Sequence, residues 1–239
     1  MKTIKIAHLY YDLMNLYGEN GNVRFLKQQL EQQDFDVQVH FLSLEDDISY
    51  EKYDIYYLGT GSEDNQKLVL KHMLNSKKQI QKAVNEGKYF LVTGNALEIF
   101  GKNIKLRDGS NLEGLNVLDF EVLEEEFRIV GEQLYSTSFI EGNIIGFQNR
   151  CATIHNYENP FFQVLDGTGF DPSKNEEGLV KNNFYGTYLL GPLLVRNPHL
   201  CDYIVKDICN TFDMKYSKNN DTIAYKAYKE YMKNFYENQ

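Results

Sequence analysis

Over the first hundred residues, short apolar runs alternate with segments of helical spacing. IKIAHLY (4–10) reads as a strand and is followed by a polar loop, DLMNLYGENGN. Residues 22–33 place Val23, Leu26 and Leu30 on one helical face, and FDVQVHFL (35–42) alternates as a strand. YDIYYL (53–58) is an apolar strand that ends in Gly59-Thr60-Gly61. A long helical pattern over 65–86 follows, with apolar positions at Leu68, Leu70, Leu74, Ile80 and Val84. KYFLVT (88–93) is a further strand, after which Gly94 turns the chain into a short helix through Phe100.

Strands separated by helices of this length predict a parallel sheet covered on both faces. After residue 104 the pattern changes. Residues 112–150 read as strands and turns without long helices, as in VLDFEVL and NIIGFQ. YGTYLLG (185–191) reads as one more strand. Leu200, Tyr203, Ile204, Ile208 and Phe212 predict a helix after Pro198, and a Tyr- and Lys-rich helix is expected over 220–237. The fold class is therefore α/β, a mostly parallel sheet flanked by helices in a flavodoxin-like arrangement. The division expected is one domain over residues 1–212 and a helical extension over 213–239. DPSKNEEG (171–178) reads as a surface loop rather than a boundary.

Charge narrows the function classes. A formal net charge of -9, with no dense basic run, disfavours phosphate backbones, so no nucleic-acid partner is expected. The N-terminus is too short and polar for a signal peptide. No apolar run approaches the roughly 20 residues that span a bilayer, so no membrane insertion and a cytoplasmic location are expected. Three irregularly spaced cysteines, Cys151, Cys201 and Cys209, form neither a disulfide framework nor a zinc site. No metal and no cofactor is implied.

In open parallel sheets, ligands bind beyond the carboxyl ends of the strands. Gly59-Thr60-Gly61, Thr93-Gly94-Asn95 and Leu190-Gly191-Pro192 all end strands there. Each alone is a turn in which glycine serves tight geometry; together they offer backbone N–H groups that could stabilise an oxyanion. The segment 88–101 has the form of a nucleophile elbow, a sharp strand-to-helix turn between small residues. Its apex, Gly94, carries no nucleophile.

Seven ordered segments resemble the CobB/CobQ-like class I glutamine amidotransferases, and among these the glutaminase (GatD-like) subunits that serve lipid II isoglutaminyl synthase. They are YYDLMNLYGENGNVRFLKQQL (10–30), YYLGTGSEDNQ (56–66), LVTGNALEIFGKNI (91–104), LEGLNVLDF (112–120), FRIVGE (127–132), IIGFQN (144–149) and YGTYLLGPLLVRNP (185–198). The resemblance covers roughly residues 4–212. It implies thiolate attack on the glutamine side-chain amide, a histidine that accepts and returns the proton, and ammonia passed to a Mur-ligase-like partner subunit. Carried over by position, it places the nucleophile at Gly94 and the histidine at Leu190, so neither group of the thiol–imidazole pair is present. Thr60 matches the middle glycine of the oxyanion loop, which also includes Gly61 and Asn95. Arg128 matches an arginine used near the glutamine substrate.

The expectation is a pseudo-enzyme, a non-catalytic subunit or regulator of a Mur-ligase-like enzyme that amidates a cell-wall precursor. Two alternatives stay open. One is an active amidotransferase subunit with an unrecognised nucleophile such as Cys151, four residues from His155 in a segment that reads as a loop. The other is a sensor that binds glutamine or another carboxylate beside Arg128 without cleaving it. Glu124-Glu125-Glu126 reads as a solvated turn. Tyr225, Tyr228 and Tyr231, with Met232 and Phe235, read as an aromatic stripe packed on the chain's own domain.

Overall fold

The computed structural model describes residues 2–218 and 222–237. The first half is a run of strands and helices: β1 (Lys2–Leu9), α1 (Asn20–Glu31), β2 (Phe35–Leu42), β3 (Ile55–Leu58), α2 (Glu63–Met73), α3 (Lys77–Asn85), β4 (Tyr89–Thr93) and a 3₁₀ segment, Gly94–Phe100. The second half holds β5 (Asn103–Lys105), β6 (Asn111–Glu113), β7 (Glu121–Ser136), β8 (Ile144–His155), β9 (Pro160–Asp166), β10 (Glu176–Lys181) and β11 (Phe184–Thr187). Helices α4 (Leu193–Arg196), α5 (Pro198–Thr211) and α6 (Ile223–Met232) follow.

Among the described residues these strands form one sheet in the order β2-β1-β3-β4-β11-β10-β9-β7-β5-β6, with β8 paired to β7. The five strands from β2 to β11 run parallel. From β11 through β10 and β9 to β7 the pairing is antiparallel. The expected parallel sheet is thus observed, continued by an antiparallel half.

Burial on both faces explains why the inner parallel strands β3 and β4 are apolar almost throughout. Ile4, Ile6, Ile55, Tyr57, Tyr89 and Leu91 face α1 and α5, where they meet Val23, Leu26, Leu30, Ile204 and Ile208. Ala7, Leu9, Tyr56, Leu58, Phe90 and Val92 face the other way, onto Val69, Leu70, Ile80 and Val84 of α2 and α3. Ser62 caps α2, accepting from the Asn65 N–H at 3.2 Å, and Glu63 and Asp64 in the first turn suit the positive end of its dipole.

Several expectations need correction. The helix expected over 65–86 is two helices, broken by a 3₁₀ turn at Leu74–Ser76, where Ser76 leaves helical geometry (φ -112°, ψ 14°). Asn75 and Ser76 are residues whose short polar side chains compete with helical backbone bonding. Leu68 is exposed rather than part of the core.

The strand expected over 185–191 stops at Thr187, because the N–H groups of Tyr188 and Leu189 are taken by the Glu177 carboxylate (2.7 Å) and the Thr187 hydroxyl (3.1 Å). The surface loop expected over 171–178 ends early. Residues 176–178 belong to β10, and Glu177 is fully buried. Glu124-Glu125-Glu126 lies within β7, beside the register shift between Glu124 and Ile129, rather than in a turn. Glu124 pairs with Arg107 and Glu125 accepts from the Thr153 hydroxyl.

The helix expected over 220–237 is α6, continued by a wider turn over Lys233–Glu237; residues 220 and 221 lie outside the described residues. Its tyrosines reach the body of the protein. Tyr225 donates to Asp202, Tyr228 to the Asn143 carbonyl and Tyr231 to Glu132. Met232 packs with Leu134 and Ile145, and the exposed Phe235 stacks on Tyr231.

Candidate functional site

The three glycine-bearing segments converge, although Leu190-Gly191-Pro192 lies past the end of β11 rather than at it. At the end of β4 the chain turns at Gly94 with φ +65°, a conformation that side chains other than glycine adopt at a cost. A Cβ at this position would lie 2.5 Å from Thr60 Cβ, 2.6 Å from Thr60 Oγ1 and 2.6 Å from Leu190 Cδ2. The space into which a side chain at position 94 would project is therefore full. Leu190 is 1% exposed and held by an isolated antiparallel bridge, its N–H bonding the Phe147 carbonyl at 2.9 Å.

Thr60 and Asn95 clasp each other across the turn. The Thr60 hydroxyl donates to Asn95 Oδ1 (2.8 Å) and accepts from the Asn95 N–H (3.3 Å). Asn95 Oδ1 also accepts from the Gly61 N–H (3.1 Å), while its amide donates to the Gly61 carbonyl (2.9 Å). Two of the backbone donors that could have met an oxyanion, the N–H groups of Gly61 and Asn95, are thus already bonded within the chain.

Thr60, Gly61, Asn95 and Arg128 line one cavity of about 60 Å³. Gly94 and Leu190 do not line it; they lie buried behind Thr60. Arg128, on the bulged stretch of β7, donates to Glu63 (2.5 Å) at the start of α2 and to Asn149 Oδ1 (2.8 Å) on β8. The Asn149 amide donates in turn to the Tyr17 hydroxyl (2.6 Å). A line of polar contacts therefore crosses the mouth of the cavity. Burial raises the Glu63 carboxyl, but bonds from its backbone and from Arg128 outweigh this and hold it below its ordinary value.

Cys151 lines the same cavity, on strand β8 rather than in the loop expected. A four-residue separation along a strand spans about 13 Å, too far for a Cys151–His155 dyad. His155 instead contacts the Thr153 hydroxyl (2.8 Å) and Asp171 (3.6 Å). The Cys151 thiol lies 3.5 Å from Glu63, and burial together with that carboxylate pushes it upward, away from thiolate. No histidine lines the cavity. His8 and His199 are buried and lowered to about 4 by that burial, His40 is exposed beside Tyr53, and His72 bonds Tyr10. Among the described residues no cluster of His, Cys, Asp and Glu could hold a metal ion.

Besides Glu177, two buried carboxylates beside the site escaped the sequence reading. Glu19, in the loop before α1, is 0% exposed and accepts from Tyr57 (2.7 Å), Thr93 and the Gly191 N–H (3.3 Å). It thereby ties the residue before Gly94 to the residue after Leu190, and burial raises its pKa. Glu98, one turn past the elbow, accepts from Gln66 at 2.6 Å, and burial pushes it up to about 7. Acidic residues in a polar loop and in a short helix read as solvated; only the three-dimensional packing marks them as buried.

Two solved glutamine amidotransferases share this architecture. One, from Thermotoga maritima, aligns with a TM-score of 0.51 at 11% identity, covering 87% of this chain and 83% of that one. The other aligns with a TM-score of 0.55 at 14% identity, covering 84% of this chain and 97% of that one. The fold is that of a glutamine amidotransferase. Residues 5–198 match the model of the CobB/CobQ-like glutamine amidotransferase domain, and the chain belongs to that family. It is 29% identical over 209 residues to the Staphylococcus aureus lipid II isoglutaminyl synthase (glutamine-hydrolyzing) subunit GatD, covering 87% of this chain and 86% of the relative. It is 31% identical over 206 residues to the subunit of the same name from Streptococcus pneumoniae, covering 84% and 79%.

Proposed function

We propose that this chain is a non-catalytic member of the family, a GatD-like subunit that has kept the fold and lost the glutaminase reaction. In this reading it docks in the cytoplasm on a Mur-ligase-like partner that amidates lipid II, as scaffold or regulator, and the partner draws on free ammonia. The observation that carries the reading is the packing at Gly94. A nucleophile there would need the space that Thr60 and Leu190 occupy, and position 190 offers no imidazole to take a proton. Loss of such groups costs several orders of magnitude in rate.

The purified protein, alone and with its ligase partner, is expected to release ammonia from glutamine no faster than a heat-killed control; release well above that control overturns the reading. Capture of a Mur-ligase-like protein in a pull-down supports the docking role, and failure to bind one removes it.

One observation favours a second reading. Cys151 and Arg128 line the same cavity, as a nucleophile and a substrate-binding arginine would. Against it stand the raised thiol, whose neighbouring carboxylate, Glu63, is held by Arg128, and the lack of a histidine in the cavity lining. Cys151→Ala separates the two, because any ammonia release that depends on this thiol disappears in the variant. A sensor role is tested by calorimetry with glutamine on wild type and Arg128→Ala, since Arg128 must exchange Glu63 for the ligand carboxylate.

A further inference from the structure

Beyond the vacancies at 94 and 190, the geometry contains a third feature of a different kind. The contacts that a Cβ at 94 would meet are unequal in character. Leu190 Cδ2, at 2.6 Å, is the far end of a flexible side chain and can swing away. Thr60 Cβ, at 2.5 Å, is attached directly to the main chain. That main chain is held in turn, since the Thr60 carbonyl accepts from the Leu16 N–H at 3.1 Å and its hydroxyl is tied twice to Asn95. The same clasp engages the N–H groups of Gly61 and Asn95. One pair of side chains thus fills the nucleophile's place and occupies two of the donors beside it.

We infer that the Thr60–Asn95 clasp locks the vacated elbow: Thr60, rather than Leu190, is the residue that excludes any side chain at position 94. A nucleophile therefore cannot be regained by changes at 94 and 190 alone. The inference rests on reading Gly94 as the vacated nucleophile position.

A cycle of melting temperatures tests it, with Gly94→Ala as the probe because alanine adds only the Cβ. In the wild-type background Gly94→Ala is expected to lower the melting temperature by roughly 2–12 °C, the range for overpacking in a chain of this size. In a Thr60→Gly background the same change is expected to cost less than half as much, the remainder being the positive φ at 94, which is common to both. In a Leu190→Ala background it is expected to cost nearly the full amount. All arms are measured in an excluded osmolyte, which raises the melting temperatures together and keeps weak variants folded. An equal cost with and without Thr60 overturns the inference, as does relief by Leu190→Ala but not by Thr60→Gly. If Gly94→Ala fails to fold in wild type, recovery with Thr60→Gly supports the inference and failure in both backgrounds overturns it. Ammonia release by the wild-type protein would instead overturn the non-catalytic reading and leave the melting cycle readable.

Discussion

Glu98 illustrates how much a single buried group can couple the site to solution conditions. Its carboxyl is raised from an ordinary 4.5 to about 7, chiefly by burial, with the bond from Gln66 and the charge of Arg150 opposing the rise and Glu63 adding to it. Glu177, which accepts from Thr187 and from the Tyr188 N–H, is likewise raised to about 7 by burial. Between pH 4.5 and 7 these two carboxyls hold protons in the folded chain that they have released in the unfolded one, so their contribution to stability falls as pH rises through this window. The buried His8 and His199, lowered to about 4, contribute with the opposite sign up to about pH 6.5. Glu98→Gln keeps an acceptor for Gln66 without the charge. It is expected to raise stability at pH 8 by on the order of 1–3 kcal/mol and to change little at pH 5, read from melts at the two values.

At this same scale, Gly94, Thr60, Leu190 and Arg128 could be picked out from the sequence because each stands in an ordered, recognisable segment. Nothing in that order reveals that Glu63 already holds Arg128, or that Thr60 and Asn95 already bond each other. Those facts depend on χ angles and on the approach of α2 to β7 and β8.

Between elements, the joint of α4, α5 and β8 depends on Asn197. This buried side chain accepts from the Ile145 N–H (2.8 Å) and donates to the carbonyls of Ile145 (2.7 Å) and Leu193 (2.9 Å). Asn197→Ala would leave buried backbone groups without partners, and the expected cost is about 2–4 kcal/mol in a denaturant titration. The parallel strands were legible in the sequence because their apolar runs need burial on both faces. The break between α2 and α3 and the early end of β11 were not, since in both a local side-chain preference overrides a longer apolar pattern. Thr187 and Glu177 take backbone donors that a continuing ladder would have used.

Across the whole molecule, α6 closes one side of the antiparallel half. Met232 covers Leu134 and Ile145, and Tyr228 reaches the Asn143 carbonyl. A chain lacking residues 222–239 is expected to keep the circular dichroism of the sheet, melt several degrees lower and bind more of a hydrophobic dye. Unchanged melting and dye binding would argue against this packing role. No described helix is long and apolar enough to cross a membrane.

The order of the strands carries one more consequence, for the moment of synthesis. β11 lies between β4 and β10, yet it is the last strand to emerge from the ribosome. Until residues 184–187 arrive, β4 has one open edge. Its five residues, Tyr89–Thr93, are all buried in the finished protein and include no charge to discourage a stranger. A nascent chain stalled or cleaved before Phe184 therefore presents a ready template for pairing with another copy. Fragments ending there should aggregate, while the completed chain seals its own seam.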